Sequence, residues 1–425
     1  MSEFNQSLNG CMLHVTNTDK FKTKVISIKL RQDLDRKTTT MRSLLAMCLL
    51  GGTAKLPGMQ QLSIALDQLY GASMATNVSS KGKAQIIHLT STFVDDLYLV
   101  ENEGLFEKQL SLLHDILFDP YLENGVFASA YVDLKKRELK ERLQALKDDK
   151  YSYALDRTMA LMGENDYLGI SGIGYLEDID AISAADLYAY FQQCLTNDTI
   201  DIYAVGHFSD EQIALFKTYF DFSKRKRSYL SCYTFQSLRA SLLDVVEKQN
   251  ITQSKLNLGF TCQTDFLSED HPAMTIFNGL FGGFSHSRLF KTVREANSLC
   301  YYISSSYDAF NGIVLVSSGI EGNQADRVRE LVLKELKDIQ DGHVNAQELA
   351  ITKRMFENSL RKSQDEAGNI IYMKYNRDLA GKVESSEAYL EKLLAVEAED
   401  VVRVAKKMKL DTVFLLEGAG ENGNL

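Results

Sequence analysis

Histidine and cysteine are the side chains through which a chain most often holds a metal or builds a nucleophile, and here neither type is gathered. The seven histidines, His14, His88, His114, His207, His271, His286 and His343, include no pair one helical turn apart. That is the spacing at which two imidazoles on one helix face grip the same zinc ion. His114 falls in a helix but off its apolar stripe, which places it at a surface or boundary. The six cysteines, Cys11, Cys48, Cys194, Cys232, Cys262 and Cys300, form no C-x-x-C pair and no cluster with histidine. In a reducing compartment they read as small core residues rather than disulfides or zinc ligands.

The elements that would position any site are written twice. Lys24-Val-Ile-Ser-Ile-Lys29, a polar turn, a helix and Leu49-Leu-Gly-Gly52 are matched by Lys255-Leu-Asn-Leu-Gly-Phe260, a polar turn, a helix and Leu280-Phe-Gly-Gly283. Lys24 and Lys255 are as far apart as Gly51 and Gly282. A second shared offset relates Ala181, Ala184 and Asp186 to Ala395, Ala398 and Asp400. Coincident offsets over ordered patterns mean a duplicated unit.

Within the first unit, Ile26, Ile28 and Leu30 alternate along a half-buried strand, and the Thr38–Thr40 run can cap a helix that Gly51 ends in a left-handed conformation. A helix over Met59–Tyr70 follows, then an extended segment from Ser73 to Val78 and its partner strand Ala84–Phe93. Phe106, Leu110, Leu113 and Leu117 mark one buried helix face, and Val126–Lys147 a longer helix. A helix over Asp180–Cys194 and a strand over Ile200–Val205 complete the unit. The second unit repeats strand Lys255–Phe260, helix Ala273–Phe281, strands Tyr301–Tyr307 and Gly312–Gly319, helices over 324–340, 346–363 and 397–408, and strand Thr412–Leu416. Strands and helices in runs predict an α+β class with two tandem α/β-sandwich domains, each a mainly antiparallel sheet with helices packed on one face. The expected boundaries are 1–221, a charged linker over 222–250, and 251–425.

The 425 residues suffice for two cores, and the 45% hydrophobic, 24% charged composition is that of a globular protein. A net charge of −10, with Lys224-Arg-Lys-Arg227 as the one basic run, argues against a nucleic-acid partner. The N-terminal segment lacks the design of a signal peptide, and no apolar run approaches the roughly 20 residues that span a bilayer. A cytoplasmic protein without a membrane span is expected.

At Leu44–Thr53 and Leu289–Tyr301 the sequence resembles the insulinase/pitrilysin-type metallopeptidase family, in its short bacterial form and its mitochondrial processing-peptidase and respiratory core-protein relatives. The resemblance covers both units in order. In active members the first helix carries H-x-x-E-H, two zinc-binding histidines and a water-activating glutamate. Register on Gly52-Thr53 puts Ser43, Ala46 and Met47 at those positions. Aligning on Asp148-Asp149 puts Arg142 at the third ligand, with Glu141 one residue off. The resemblance therefore implies degenerate metal positions at Ser43, Ala46, Met47 and Arg142, no metal or cofactor in this chain, and zinc in a catalytic partner.

The second half keeps Leu289-Phe290, Arg294-Glu295, Leu299 and Tyr301 in the family's register. There an arginine and a tyrosine seven residues later serve the zinc of the other half. A guanidinium and a phenol O–H can hold a substrate carbonyl and the oxyanion formed on attack. The plain alternative is a surface Arg-Glu at a helix end and a strand tyrosine. Bacterial relatives can divide the two functions between two proteins, and this chain is similar to the partner without the metal. The implied function is a non-catalytic subunit of a two-chain zinc metallopeptidase, supplying Arg294 and Tyr301 in trans. The alternative is a peptide-binding or scaffolding pseudo-peptidase with no role in hydrolysis. Implied partners are a homologous catalytic subunit carrying H-x-x-E-H, a peptide substrate, or, for the chain alone, a second copy. The resemblance also makes Met74, Ala75, Thr76, Asn77 and Val78 an edge strand that takes peptide as an added strand.

Overall fold

The computed structural model describes residues 2–101, 103–222, 233–237 and 239–418; the basic run Lys224–Arg227 lies outside the described residues. In chain order the first half forms β1 (Ser2–Ser7), β2 (Met12–Asn17), β3 (Thr23–Asp33), α1 (Thr39–Cys48), α2 (Met59–Gln68), β4 (Ser73–Lys81), β5 (Ala84–Val94), α3 (Leu105–Phe118), the small hairpin β6 (Leu122–Glu123) and β7 (Val126–Phe127), α4 (Ser129–Asp148), α5 (Lys150–Met162), α6 (Ala184–Asn197), β8 (Thr199–Gly206) and α7 (Asp210–Tyr219). The second forms β9 (Leu243–Gln249), β10 (Ser254–Thr261), α8 (His271–Asn278), β11 (Cys300–Asp308), β12 (Ile313–Ile320), α9 (Ala325–Gln340), α10 (Ala346–Ser363), α11 (Ala367–Leu379), α12 (Ser386–Leu394), α13 (Ala398–Ala405) and β13 (Lys409–Gly418).

The first compact unit is drawn from Met1–Gln144, Ser171–Leu230 and Gln364–Asn376. Its sheet runs β1-β2-β8-β3-β5-β4, antiparallel except for the β2–β8 pair. Ile26, Ile28 and Leu30 enter the core beneath α1, α3 and α6, as their alternation requires. Lys29 and Arg31 face the opposite side, where Tyr375 of α11 stacks edge-on against Tyr203 and His88.

The second unit is drawn from Ala145–Ile170, Ser231–Ser363 and Arg377–Leu425. Its sheet runs β11-β12-β10-β13-β9, and Leu256, Leu258 and Phe260 enter a core shared with α8, α9 and α13. Phe414 and Leu416 point to the other face, against Ala154 of α5. Each side chain buried this fully contributes about 1.5–3 kcal/mol. Asn257 Nδ2 donates to Thr158 Oγ1 at 3.1 Å, and Gly259 leaves room for the Met162 thioether.

The α+β architecture and mainly antiparallel sheets are as the sequence predicts, with a further feature: the face away from the main helix layer is covered in each unit by one helix. That changes the boundaries. The units are not the contiguous stretches 1–221 and 251–425, because α5 packs in the second unit and the start of α11 in the first. Both are amphipathic helices, and an apolar stripe does not state which sheet it covers. Nor is 222–250 a linker throughout. Leu243–Gln249 is β9, paired in parallel with β13, with Leu243, Val245 and Glu247 half-buried and the residues between them exposed.

Two local expectations also change. Thr38 makes no side-chain cap; its Oγ1 accepts from Gln32 Nε2, while Thr39 and Thr40 donate to Ser171 O and Asp178 Oδ2. The left-handed residue after α1 is Gly52, at φ 118°, rather than Gly51. Gly51 is needed for a different reason, since the Tyr131 ring lies where a Cβ would stand. The long helix begins at Ser129 because Val126–Phe127 is used in the β6–β7 hairpin. Among the described residues no helix is long and apolar enough to cross a membrane.

Candidate functional site

The four degenerate positions do not converge as ligands would. Ser43 and Ala46 are buried in α1, and Met47 packs against the same core. Arg142 is exposed on α4, while its neighbours Leu139 and Leu143 go into the core. A buried hydroxyl, a methyl and a thioether offer zinc no imidazole and no carboxylate. Ser43 and Ala46 are almost fully covered, so this part of the helix is closed packing rather than a cradle for an ion. Among the described residues no group of three or more His, Cys, Asp or Glu side chains is placed to hold a metal. The site does not fit zinc.

What holds α1 in place is a residue the sequence does not single out. Arg42, fully buried, reaches Asp198 Oδ2 at 2.5 Å and the Leu30 carbonyl at 2.5 Å, tying the helix to the end of α6 and to β3. Burial works against the charged guanidinium, but Asp198 together with Cys194 and Tyr190 holds it well above its usual range. A second overlooked residue is Glu138 on α4, whose charge acts on Cys48 of α1 and whose carboxylate is engaged by Lys135 at 2.8 Å. Burial pushes the Cys48 thiol up to about 12, so it remains a protonated core residue.

The expected peptide strand is at the edge of its sheet. Met74–Val78 lies in β4, paired with β5 on one side and with no strand on the other among the described residues. α1 packs against β4, and Met74 and Val78 lean into the core beneath it. Ala75 and Asn77 point the other way and are exposed.

Arg294 and Tyr301 do come together. Phe290–Ala296 is a π-helical turn, and its wider winding stacks residues four apart: the Arg294 guanidinium sits 4.7 Å over the Phe290 ring. Ser298, at φ 52°, reverses the chain, and the Leu299 amide donates to the Val293 carbonyl. The chain then enters the sheet with a bulge: Cys300 pairs with Ile320 and Tyr302 with Gly319, leaving Tyr301 between them outside the ladder. A bulge re-aims a side chain, and Tyr301 is 76% exposed, its ring centroid 6.0 Å from the Arg294 guanidinium. β11 is held to the helix before it by Asn278, which donates to the Ser305 carbonyl and accepts from Ser305 Oγ at 2.8 Å. A cation and a phenol thus share one exposed surface at a sheet edge.

The duplicated α+β chain thus has Ser43 and Ala46 buried in its first half and an exposed arginine–tyrosine pair in its second. The chain belongs to the M16 metallopeptidase family, of the insulinase/pitrilysin type, as a non-catalytic member. A family model described as the peptidase M16 inactive domain matches residues 181–356. Over 98% of both chains it is 32% identical to the probable inactive metalloprotease YmfF of Bacillus subtilis (strain 168). It is 23% identical to the uncharacterized zinc protease YmxG of the same organism, across 75% of this chain and 77% of that one. A conserved protein from Enterococcus faecalis V583 superposes with a TM-score of 0.92 at 30% identity, covering 99% of this chain and all of the other.

Proposed function

We propose that this chain is the non-catalytic subunit of a two-chain zinc peptidase, which binds peptide along the β4 edge and lends Arg294 and Tyr301 to the active centre of a homologous partner carrying H-x-x-E-H. The observation that carries the reading is the contrast within one molecule. On α1, Ser43, Ala46 and Met47 have been absorbed into packing and on α4 Arg142 offers a cation, while the two residues suited to a substrate carbonyl are kept exposed by a π-helical turn, a left-handed serine and a bulge. None of those three features is needed for a sheet edge to pack, and such local costs gather at functional sites. In the complex, Arg294 and Tyr301 would donate to the oxygen of the scissile carbonyl as negative charge develops on it. The metal and its water belong to the partner. Similarity both to a probable inactive metalloprotease and to a zinc protease fits a family that contains both kinds of chain.

The competing reading, a peptide-binding scaffold with no part in hydrolysis, draws on Arg294 resting on Phe290, a contact with a sufficient packing account. The two readings separate on isolation of the chain from its native cell with whatever it binds. A homologous chain with H-x-x-E-H, zinc in the complex and none in this chain alone support the subunit. Recovery without any such chain, together with peptide binding, supports the scaffold.

A further inference from the structure

The face of the first sheet on which α11 lies carries a row of basic and polar groups beside the β4 edge. In register, Asn77 of β4 stands opposite His88 of β5, and His88 opposite Lys29 of β3. Ser79 Oγ lies 2.7 Å from His88 Nε2, and Lys29 Nζ lies 2.8 Å from His88 Nδ1 and 5.4 Å over the Tyr375 ring. At the open end Lys81 Nζ reaches the hydroxyl of the exposed Tyr372 at 3.2 Å and lies over its ring at 4.5 Å. Asp201, the carboxylate opposite Lys29 on its other side, faces His14 at 3.4 Å and Arg31 at 3.8 Å. The charge that acts on Lys29 is that of Lys81. Burial first, and that like charge second, hold the Lys29 ammonium down to about 8. A protein with a net charge of −10 thus concentrates positive charge along this stretch of edge.

An added strand presents alternate side chains to the two faces of the sheet. On the α1 side those side chains would meet Met74 and Val78, which are apolar. On the α11 side they would meet Asn77, Ser79 and Lys81, with Lys29 beneath. We infer that the β4 edge selects extended peptides that carry acidic side chains on one face and apolar side chains on the other. The inference rests on the reading of β4 as the peptide edge and adds the class of peptide. A carboxylate placed there gains a charge-assisted hydrogen bond from Lys81 and the Ser79 hydroxyl, and it relieves the repulsion between Lys81 and Lys29. A basic side chain at the same place meets the like charge of Lys81.

The test uses the full chain and three fluorescent synthetic peptides, alternating valine with glutamate, glutamine or lysine. The glutamate peptide should bind about tenfold more tightly than the glutamine peptide, and the lysine peptide most weakly. Lys81→Gln and, separately, Ser79→Ala should weaken the glutamate peptide more than the glutamine peptide and so shrink that ratio, and added salt should shrink it too. Thr76→Pro should abolish binding of all three. If Thr76→Pro abolishes binding but the glutamate and glutamine peptides bind alike, β4 remains the peptide edge and the acidic preference is overturned. If no peptide binds, or Thr76→Pro leaves binding unchanged, the edge itself is wrong and the preference falls with it.

Discussion

Two arginines show what has happened to the two halves of this chain. Arg42, on the helix that carries the metal ligands in active relatives, is fully buried and paired with Asp198. Arg294 is exposed on a π-helical turn, over the ring of Phe290 and beside that of Tyr301. Around Arg42 the adjoining positions have become core, with Ser43 and Ala46 almost fully covered. Around Arg294 the backbone departs from regular geometry and the side chains stay out. One region is closed packing, and the other keeps a cation and a phenol at the surface.

That contrast is open to attack first at Arg42. Arg42→Ala leaves Asp198 buried and without its cation, and should cost about 3–5 kcal/mol, whereas Arg294→Ala should change stability by no more than about 0.5 kcal/mol. Denaturant unfolding of both variants checks this, and equal losses would erase the distinction. Next in size is Ala46→Glu, which returns the family's carboxylate to a position now 2% exposed. Burial of an unpaired acid there should lower stability by about 2–4 kcal/mol and confer no zinc binding. A stable variant that takes up zinc would mean that the ligand site is degenerate only in sequence.

The third test is of pH dependence, and it belongs to the basic face of the first sheet. Lys29 is held at about 8, against 10.5 when unfolded. Between those values the unfolded chain binds more protons than the native one, so stability should rise with pH from about 8 towards 10. Burial, then the charges of Lys29, Lys81 and Arg42, hold His88 down to about 2. The same sign then applies below 6.5: stability is lost as the pH falls from there. Lys29→Met should flatten the alkaline rise, and an unchanged profile would show that Lys29 is not the group responsible.

Much of the fold is legible in the sequence wherever one face of an element is apolar. The alternation of Ile26, Ile28 and Leu30 and the helices over 324–340 and 346–363 reappear within a residue or so of their expected places. His114, expected at a boundary, is half-buried against Phe118. Elements without a one-sided pattern are not legible. β1, Ser-Glu-Phe-Asn-Gln-Ser, is exposed along its whole length and shows no alternation. α5 and α11 have ordinary helical patterns, and their places are set by the sheet faces they cover. At the site, Arg294 and Tyr301 are visible as residue types, but their convergence depends on a π-turn and a bulge, which no local propensity announces. Arg42 is invisible for a related reason: a charged residue in a helix reads as solvated until its buried partner, far away in sequence, is known.

The account stands most directly on the activity of a reconstituted complex with a zinc-bearing homologous chain. With assembly and zinc content verified as unchanged, Arg294→Ala or Tyr301→Phe in this subunit should lower kcat by about ten- to a thousandfold, its upper part being the loss of one full oxyanion donor, about a hundred- to a thousandfold. Wild-type rates for both variants in a verified complex would contradict the trans-acting role and leave the scaffold as the function of this chain.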